Sequence, residues 1–280
     1  MKKFAKLIEF IKSTNIVELL DDDKLNKIGM KCKEAYLTDK ASRADWESMA
    51  KDAMDLALQV KKDKSFPWPN AANVKYPIIT TAAIQFSARA YPELVKGQKI
   101  VKPKVIGPDA DGVKKEKADR IANHMSYQLL EEMDDWEEQL DKMLLQLGII
   151  GCTFKKVYYS PVTGYNCSEF VSAMNLIYDH SVSWEKLKRK TQEFKLSGNE
   201  ILERQRAGVF KEDLKLIKSI SSSILDDDDG EYDFLEQHCW LDLDGDDYKE
   251  PYVVTILKES SEVARIVACY DEENRPGETR

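Results

Sequence analysis

Nine apolar residues between Ala118 and Leu147 recur at steps of three or four without exception: 118, 122, 125, 129, 133, 136, 140, 144 and 147. Only a helix returns side chains to one face at that interval. As a single helix the segment would run about 45 Å at roughly 1.5 Å per residue. Asp134 or Asp135 could instead cap a second helix and divide it in two. Either way one stripe is buried and the Glu, Asp and Lys face stays wet. After Gly148 the period changes. The string TFKKVYYS, Thr153 to Ser160, is rich in β-formers, and Tyr165 to Val171 returns after the turn PVTG. That is the pattern of a hairpin. A chain that switches period in this way reads as α+β, with a helical N-terminal half followed by a mixed region with antiparallel β-hairpins.

The other segments extend this division. Phe4, Leu7, Ile8 and Ile11 mark one short amphipathic helix face, and Leu25, Ile28 and Cys32 another. Ser42, with Asp45 three residues on, can cap a third helix carrying Trp46, Met49, Ala50, Ala53, Ala57 and Val60. Pro77 suits the first turn of a helix through Ala82, Ala83, Phe86 and Ala90 that stops near Pro92, and its small residues allow close packing. Ile100 to Ile106 reads as a short strand. Residues 1–147 therefore form a helical region with a short strand near 100–106. Residues 148–271 form the mixed region, with a short strand at 176–178, a weakly alternating one at 191–196, and a helix 200–206 behind a capping box of Ser197 and Glu200. A mobile acidic loop at 219–233 follows, then strands at 234–241, 252–257 and 263–270. The polar tail 272–280 is expected to be disordered.

Charge narrows the function. Lys and Arg number 42 against 50 Asp and Glu, for a net charge of −8. Gripping a nucleic acid backbone needs clustered cations, so that class is disfavoured. The longest uncharged run, Tyr76 to Ala88, is thirteen residues, whereas a membrane span needs about 20 apolar ones. No targeting segment is evident, and five scattered cysteines without a C-x-x-C argue against a disulfide framework or zinc site and fit a reducing compartment.

Catalytic signatures are missing: there is no P-loop, G-x-G-x-x-G, G-x-S-x-G or H-E-x-x-H. His124, His180 and His238 sit in unrelated elements. No catalytic residue and no cofactor is assigned. The one site-like string is DLDGDDYKE, Asp242 to Glu250, where Asp242, Asp244 and Asp246 alternate around Gly245 and such carboxylates can converge on a hard cation. The EF-hand pattern wants Gly after the third acid and Glu at the twelfth position; here Gly precedes the third acid and Glu250 is the ninth residue. The plainer reading is a hairpin turn. The acids at 226–229 read as a solvated loop. The basic spots Lys155-Lys156 and 186–190 (KLKRK) read as solvated faces, although the second could touch phosphate. Trp46, Trp68, Trp136, Trp184 and Trp240 read as core or interface anchors.

Five strings in order carry a resemblance: PWPNAANVKYPIITTAAIQFSARAYPELV at 67–95, GPDADG at 107–112, the segment 118–161, LSGNEILERQRAGVF at 196–210 and DLDGDDYKEPYVVTI at 242–256. Together they resemble the portal proteins of tailed, podovirus-like bacteriophages, over their N-terminal, wing-bearing portion. The resemblance implies a structural protein and not an enzyme. It implies a dodecameric ring at one capsid vertex, in the virion and in host cytoplasm during assembly, through which double-stranded DNA is packaged and ejected without sequence-specific binding. The implied partners are the terminase motor, the capsid and the head-tail adaptor proteins, with no membrane. Portals of this type are usually longer, so the chain is expected to be an N-terminal portion whose stem and clip lie on further chain, the other reading being a truncated or split gene. The alternative is a metal-dependent nuclease or a calcium-stabilised binding module using Asp242, Asp244 and Asp246.

Overall fold

The change of period at Gly148 coincides with the end of a helix. In the computed structural model, α6 (Trp136–Ile150) closes on Gly151 in the left-handed conformation, and β1 (Thr153–Ser160) begins two residues later. The structure describes residues 2–61, 66–68, 74, 76–97, 99–160, 164–214, 216 and 230–270. The fold is α+β. The helices up to α6 are α1 (Lys2–Lys12), α2 (Asp22–Ser42), α3 (Ala44–Ala57), α4 (Ile78–Leu94) and α5 (Val113–Tyr127). Then come the hairpin of β1 with β2 (Tyr165–Ser172), β3 (Leu176–Ile177), β4 (Lys190–Ser197), α7 (Gly198–Arg206), β5 (Glu231–Leu241), β6 (Glu250–Leu257) and β7 (Val263–Ala268).

The chain forms two units, residues 1–44 with 175–280, and residues 45–174. The division at 147/148 follows secondary structure along the chain; the packing units cut it differently, because α1 and α2 bury their apolar faces on strands more than 200 residues away.

In the unit of 45–174, the stripe of 118–147 is two helices and not one. A π-helical turn, Gln128–Glu132, follows α5, and the chain restarts as α6 with Asp135 at the N-cap position. Asp135 makes no side-chain capping bond. Met133, Trp136, Leu140 and Leu144 are buried against Ala90, Tyr91, Val95 and Ile100. Met125, on the far side of the break, is exposed, and Ser126 is buried in its place. The small-residue expectation for α4 holds: a Cβ on Gly148 would lie 3.2 Å from Ala83 Cα, so α4 and α6 touch nearly backbone to backbone. Pro92 lies inside α4, which ends two residues beyond it. Ile100 to Ile106 forms no strand. Pro103 removes a ladder donor there, and the Val101 N–H donates to Ser126 Oγ at 3.2 Å. Ser42 does not cap α3; it ends α2, its hydroxyl donating to the Asp39 carbonyl at 2.7 Å. Met49 and Val60 are exposed, so the face of α3 is narrower than its spacing suggested.

The other unit is built on a five-stranded antiparallel meander, β3-β4-β5-β6-β7. Strand alternation sorts its side chains. Leu235, Cys239, Leu241, Tyr252, Val254, Ile256 and Ile266 face a core closed by Leu7 and Phe10 of α1 and by Leu25, Cys32 and Tyr36 of α2. Phe234, Leu257 and Ala264 face Ile201 of α7 and Phe210. The capping box is formed: Ser197 Oγ accepts from the Glu200 N–H, and Glu200 Oε2 accepts from the Ser197 N–H. Gly29 lets α2 approach the turn after β6, since a Cβ there would lie 2.0 Å from the Ser261 carbonyl oxygen. Of the acidic loop expected at 219–233, residues 219–229 lie outside the described residues, and Glu231 to Asp233 already belong to β5. The tail 272–280 also lies outside them.

Candidate functional site

Strands β5 and β6 pair from Phe234↔Leu257 to Leu241↔Glu250, and residues 242–249 join them. Leu243 anchors the connection in the core. The turn organises itself around Asp242. Its Oδ1 accepts the N–H groups of Gly245 at 2.7 Å and Asp246 at 3.2 Å, and its Oδ2 accepts that of Asp247 at 3.0 Å. Asp246 Oδ1 accepts the Tyr248 N–H at 2.8 Å. Gly245 and Asp247 both take positive φ, +81° and +69°. The hairpin-turn reading is thus met, but the turn gathers acids as well. Carboxylate oxygens of Asp242, Asp244 and Asp246 lie within 4.8 Å of one another.

Sequence reasoning set Glu250 aside because it is the ninth residue of the string. The structure buries it at 2 % exposure. As the first residue of β6 it shares a strand face with Tyr252 and Val254, which point into the core. Its Oε2 and both carboxylate oxygens of Asp244 are buried without a hydrogen-bond partner. Burial raises the pKa of Glu250, the charge of Asp244 adds to this, and its own backbone N–H opposes; with Asp246 and Asp242 contributing, it is pushed up to about 7. Asp244 is also raised, by burial and then by Asp246 and Asp242. Burial would raise Asp242 too, but the N–H groups of Gly245, Asp247 and Asp246 prevail and lower it. The hydroxyls of Tyr252 and Tyr270, 2.8 Å apart, satisfy each other behind the acids.

The remaining candidates stay apart. His124 is exposed on α5, His180 stacks on Tyr178 with ring centroids 4.8 Å apart, and His238 lies on β5 with Nε2 3.8 Å from Glu236. Within the basic string 186–190, Arg189 is bound to Asp39, and Lys190 Nζ sits 4.0 Å from the centre of the Trp184 ring. Lys155 lies over Trp136 at 5.2 Å, and burial lowers its pKa. These cations have protein partners, which weakens a phosphate role. Trp136 is buried, Trp46 is half-buried, and Trp68, Trp184 and Trp240 are exposed. All five cysteines are free thiols. Among the described residues, the grouping able to hold a metal comes from this single turn, whereas two-metal hydrolysis requires acids converging from several elements. No helix among them is long and apolar enough to cross a membrane. No family model and no curated protein matches the chain.

Proposed function

We propose that this chain is the wing part of a tailed-phage portal protein, a structural subunit of the ring through which double-stranded DNA enters and leaves the capsid. The observation that carries this reading is the ordered series of five strings spread from Pro67 to Ile256. Each falls at least in part on a described helix, strand or turn. The first contains α4, whose Ala83 meets Gly148 of the third. GPDADG makes the entry to α5, where Asp109 Oδ1 and Oδ2 accept the N–H groups of Lys114 at 3.1 Å and Lys115 at 2.9 Å. The fourth is the capped helix α7, and the last is the β5–β6 turn with most of β6.

The physical chemistry suits a conduit. Each cation facing passing DNA adds a salt-sensitive hold on phosphate. A net charge of −8 works against such a hold, and two of the four cations in the run 186–190, Arg189 and Lys190, are engaged internally. Ring assembly requires a head-to-tail interface that closes. Interrupting the gene in its phage should leave heads that assemble but contain no packaged genome. Normal yields of DNA-filled heads would refute the proposal.

A further inference from the structure

We propose that residues 242–250 form a divalent-cation site whose favoured ion is calcium, with Asp242, Asp244 and Asp246, whose carboxylate oxygens already lie within 4.8 Å of one another, as ligands, and with Glu250 and the Tyr248 main-chain carbonyl drawn in to complete the set when the ion binds. Acids on a turn are common and mean little alone. What singles this turn out is Glu250, 2 % exposed, at its far end, with one carboxylate oxygen lacking any partner. Both oxygens of Asp244 are in the same condition. A buried carboxylate without a donor is costly. Three such oxygens beside two further acids repel one another, and only a proton or a cation relieves them all.

The register of the turn fits the second remedy. Counting Asp242 as the first residue, acids stand at one, three and five, Tyr248 supplies the seventh carbonyl, and Glu250 is ninth. These are ligand positions of an EF-hand loop. That loop uses glycine at position six to turn sharply. Here position six is Asp247, and it adopts φ +69° all the same. Glu250, at the mouth of β6, stands in for the distant twelfth-position Glu that the chain lacks. The donors are all oxygen, with no imidazole or thiolate, which selects a hard cation. A flexible turn offering four carboxylates favours calcium over magnesium, which demands a tighter octahedron and keeps its waters. The ion would tie the β5–β6 hairpin shut. This inference does not rest on the portal reading.

Thermal unfolding of the chain stripped with EDTA and then titrated with calcium chloride tests it. At calcium a hundredfold above Kd the midpoint should rise by roughly 5–10 °C, with a smaller rise for magnesium chloride. Isothermal titration should give one calcium per chain. Asp244→Asn and Glu250→Gln should abolish the calcium-dependent rise yet melt no lower than wild type in EDTA, because each removes repulsion. If Glu250→Gln does not fold, Asp246→Asn, at a half-exposed position, carries the same expectation of a lost calcium response. An unchanged wild-type midpoint with no heat of binding up to millimolar calcium would overturn the proposal. So would a calcium response preserved in Asp244→Asn.

Discussion

Arg189 holds Asp39 with both sides of its guanidinium: Nε donates to one carboxylate oxygen and Nη2 to the other, each at 2.6 Å. Asp39, on α2, is 1 % exposed, while the Arg189 side chain is 36 % exposed. The pair fastens a helix from the N-terminal part of the chain to the segment entering β4. Arg189→Ala would strand a buried carboxylate, a change that costs about 3–5 kcal/mol where both partners are buried and, with Arg189 partly open to water, about 2–4 kcal/mol here. Adding Asp39→Asn should recover part of the loss. Arg189→Lys keeps the charge but not the fork, and should fall between. Urea unfolding of the three variants checks the order.

Asn15 completes the outer edge of β7. Its Nδ2 donates to the Ala264 carbonyl at 3.1 Å, and its Oδ1 accepts the N–H groups of Ile266 at 3.1 Å and Val17 at 3.2 Å. A side chain thus occupies the edge a further strand would otherwise find. Asn15→Ala should destabilise by about 1–3 kcal/mol, the cost of buried donors left unmet. The Ala264 carbonyl keeps the Lys211 N–H, so most of the loss falls on Ile266 and Val17. Hydrogen exchange should quicken at the Ile266 amide. Asn15→Asp keeps the acceptor, loses the donor and buries a charge, and should be worse than alanine.

In EDTA, Glu250 makes stability depend on pH. Its carboxyl titrates at about 7 in the folded chain against an ordinary value of 4.5. Between those values the folded state holds the extra proton, so the stability it contributes falls as pH rises through the window and levels off above 7. Asp244, also raised, acts in the same direction, and Asp242, lowered, acts only in more acidic solution. Asp246 adds its charge at the same carboxyl, and the hydroxyls of Tyr252 and Tyr270, both pushed up by burial, stay protonated through this range. Melting curves between pH 5 and 6.5 should show the decline in wild type and a much flatter profile in Glu250→Gln; above that, His238, raised to about 9 by its hydrogen bonds with Cys269 and Glu236, adds a fall common to both. A wild-type midpoint rising from pH 5 to 7 would contradict the assignment.

Local signals were legible from residues alone. The capping box at Ser197, the hairpin of β1 and β2, the break near Asp135 and the close approach of small residues on α4 all depend on neighbours within a turn or on side-chain size. Long-range packing was not. Nothing local in Leu7 or Cys32 says that their faces seat on β5 to β7, because a helix stripe specifies an apolar partner without naming it. Arg189 looked like part of a solvated basic run because its partner lies 150 residues away. Ile100 to Ile106 had strand-forming residues but also Pro103 and no neighbouring strand. At the acidic turn, Asp242, Asp244 and Asp246 were visible as a spacing, whereas Glu250 was not, since its burial follows from the register of β6 against β5. Its signal was present as the ninth position counted from Asp242.

The most direct test of the portal reading is electron microscopy of the purified full-length gene product that carries this chain. The account predicts closed rings with a central hole wide enough for duplex DNA, of uniform copy number. A homogeneous preparation of well-folded monomers, unchanged at high protein concentration, would contradict it.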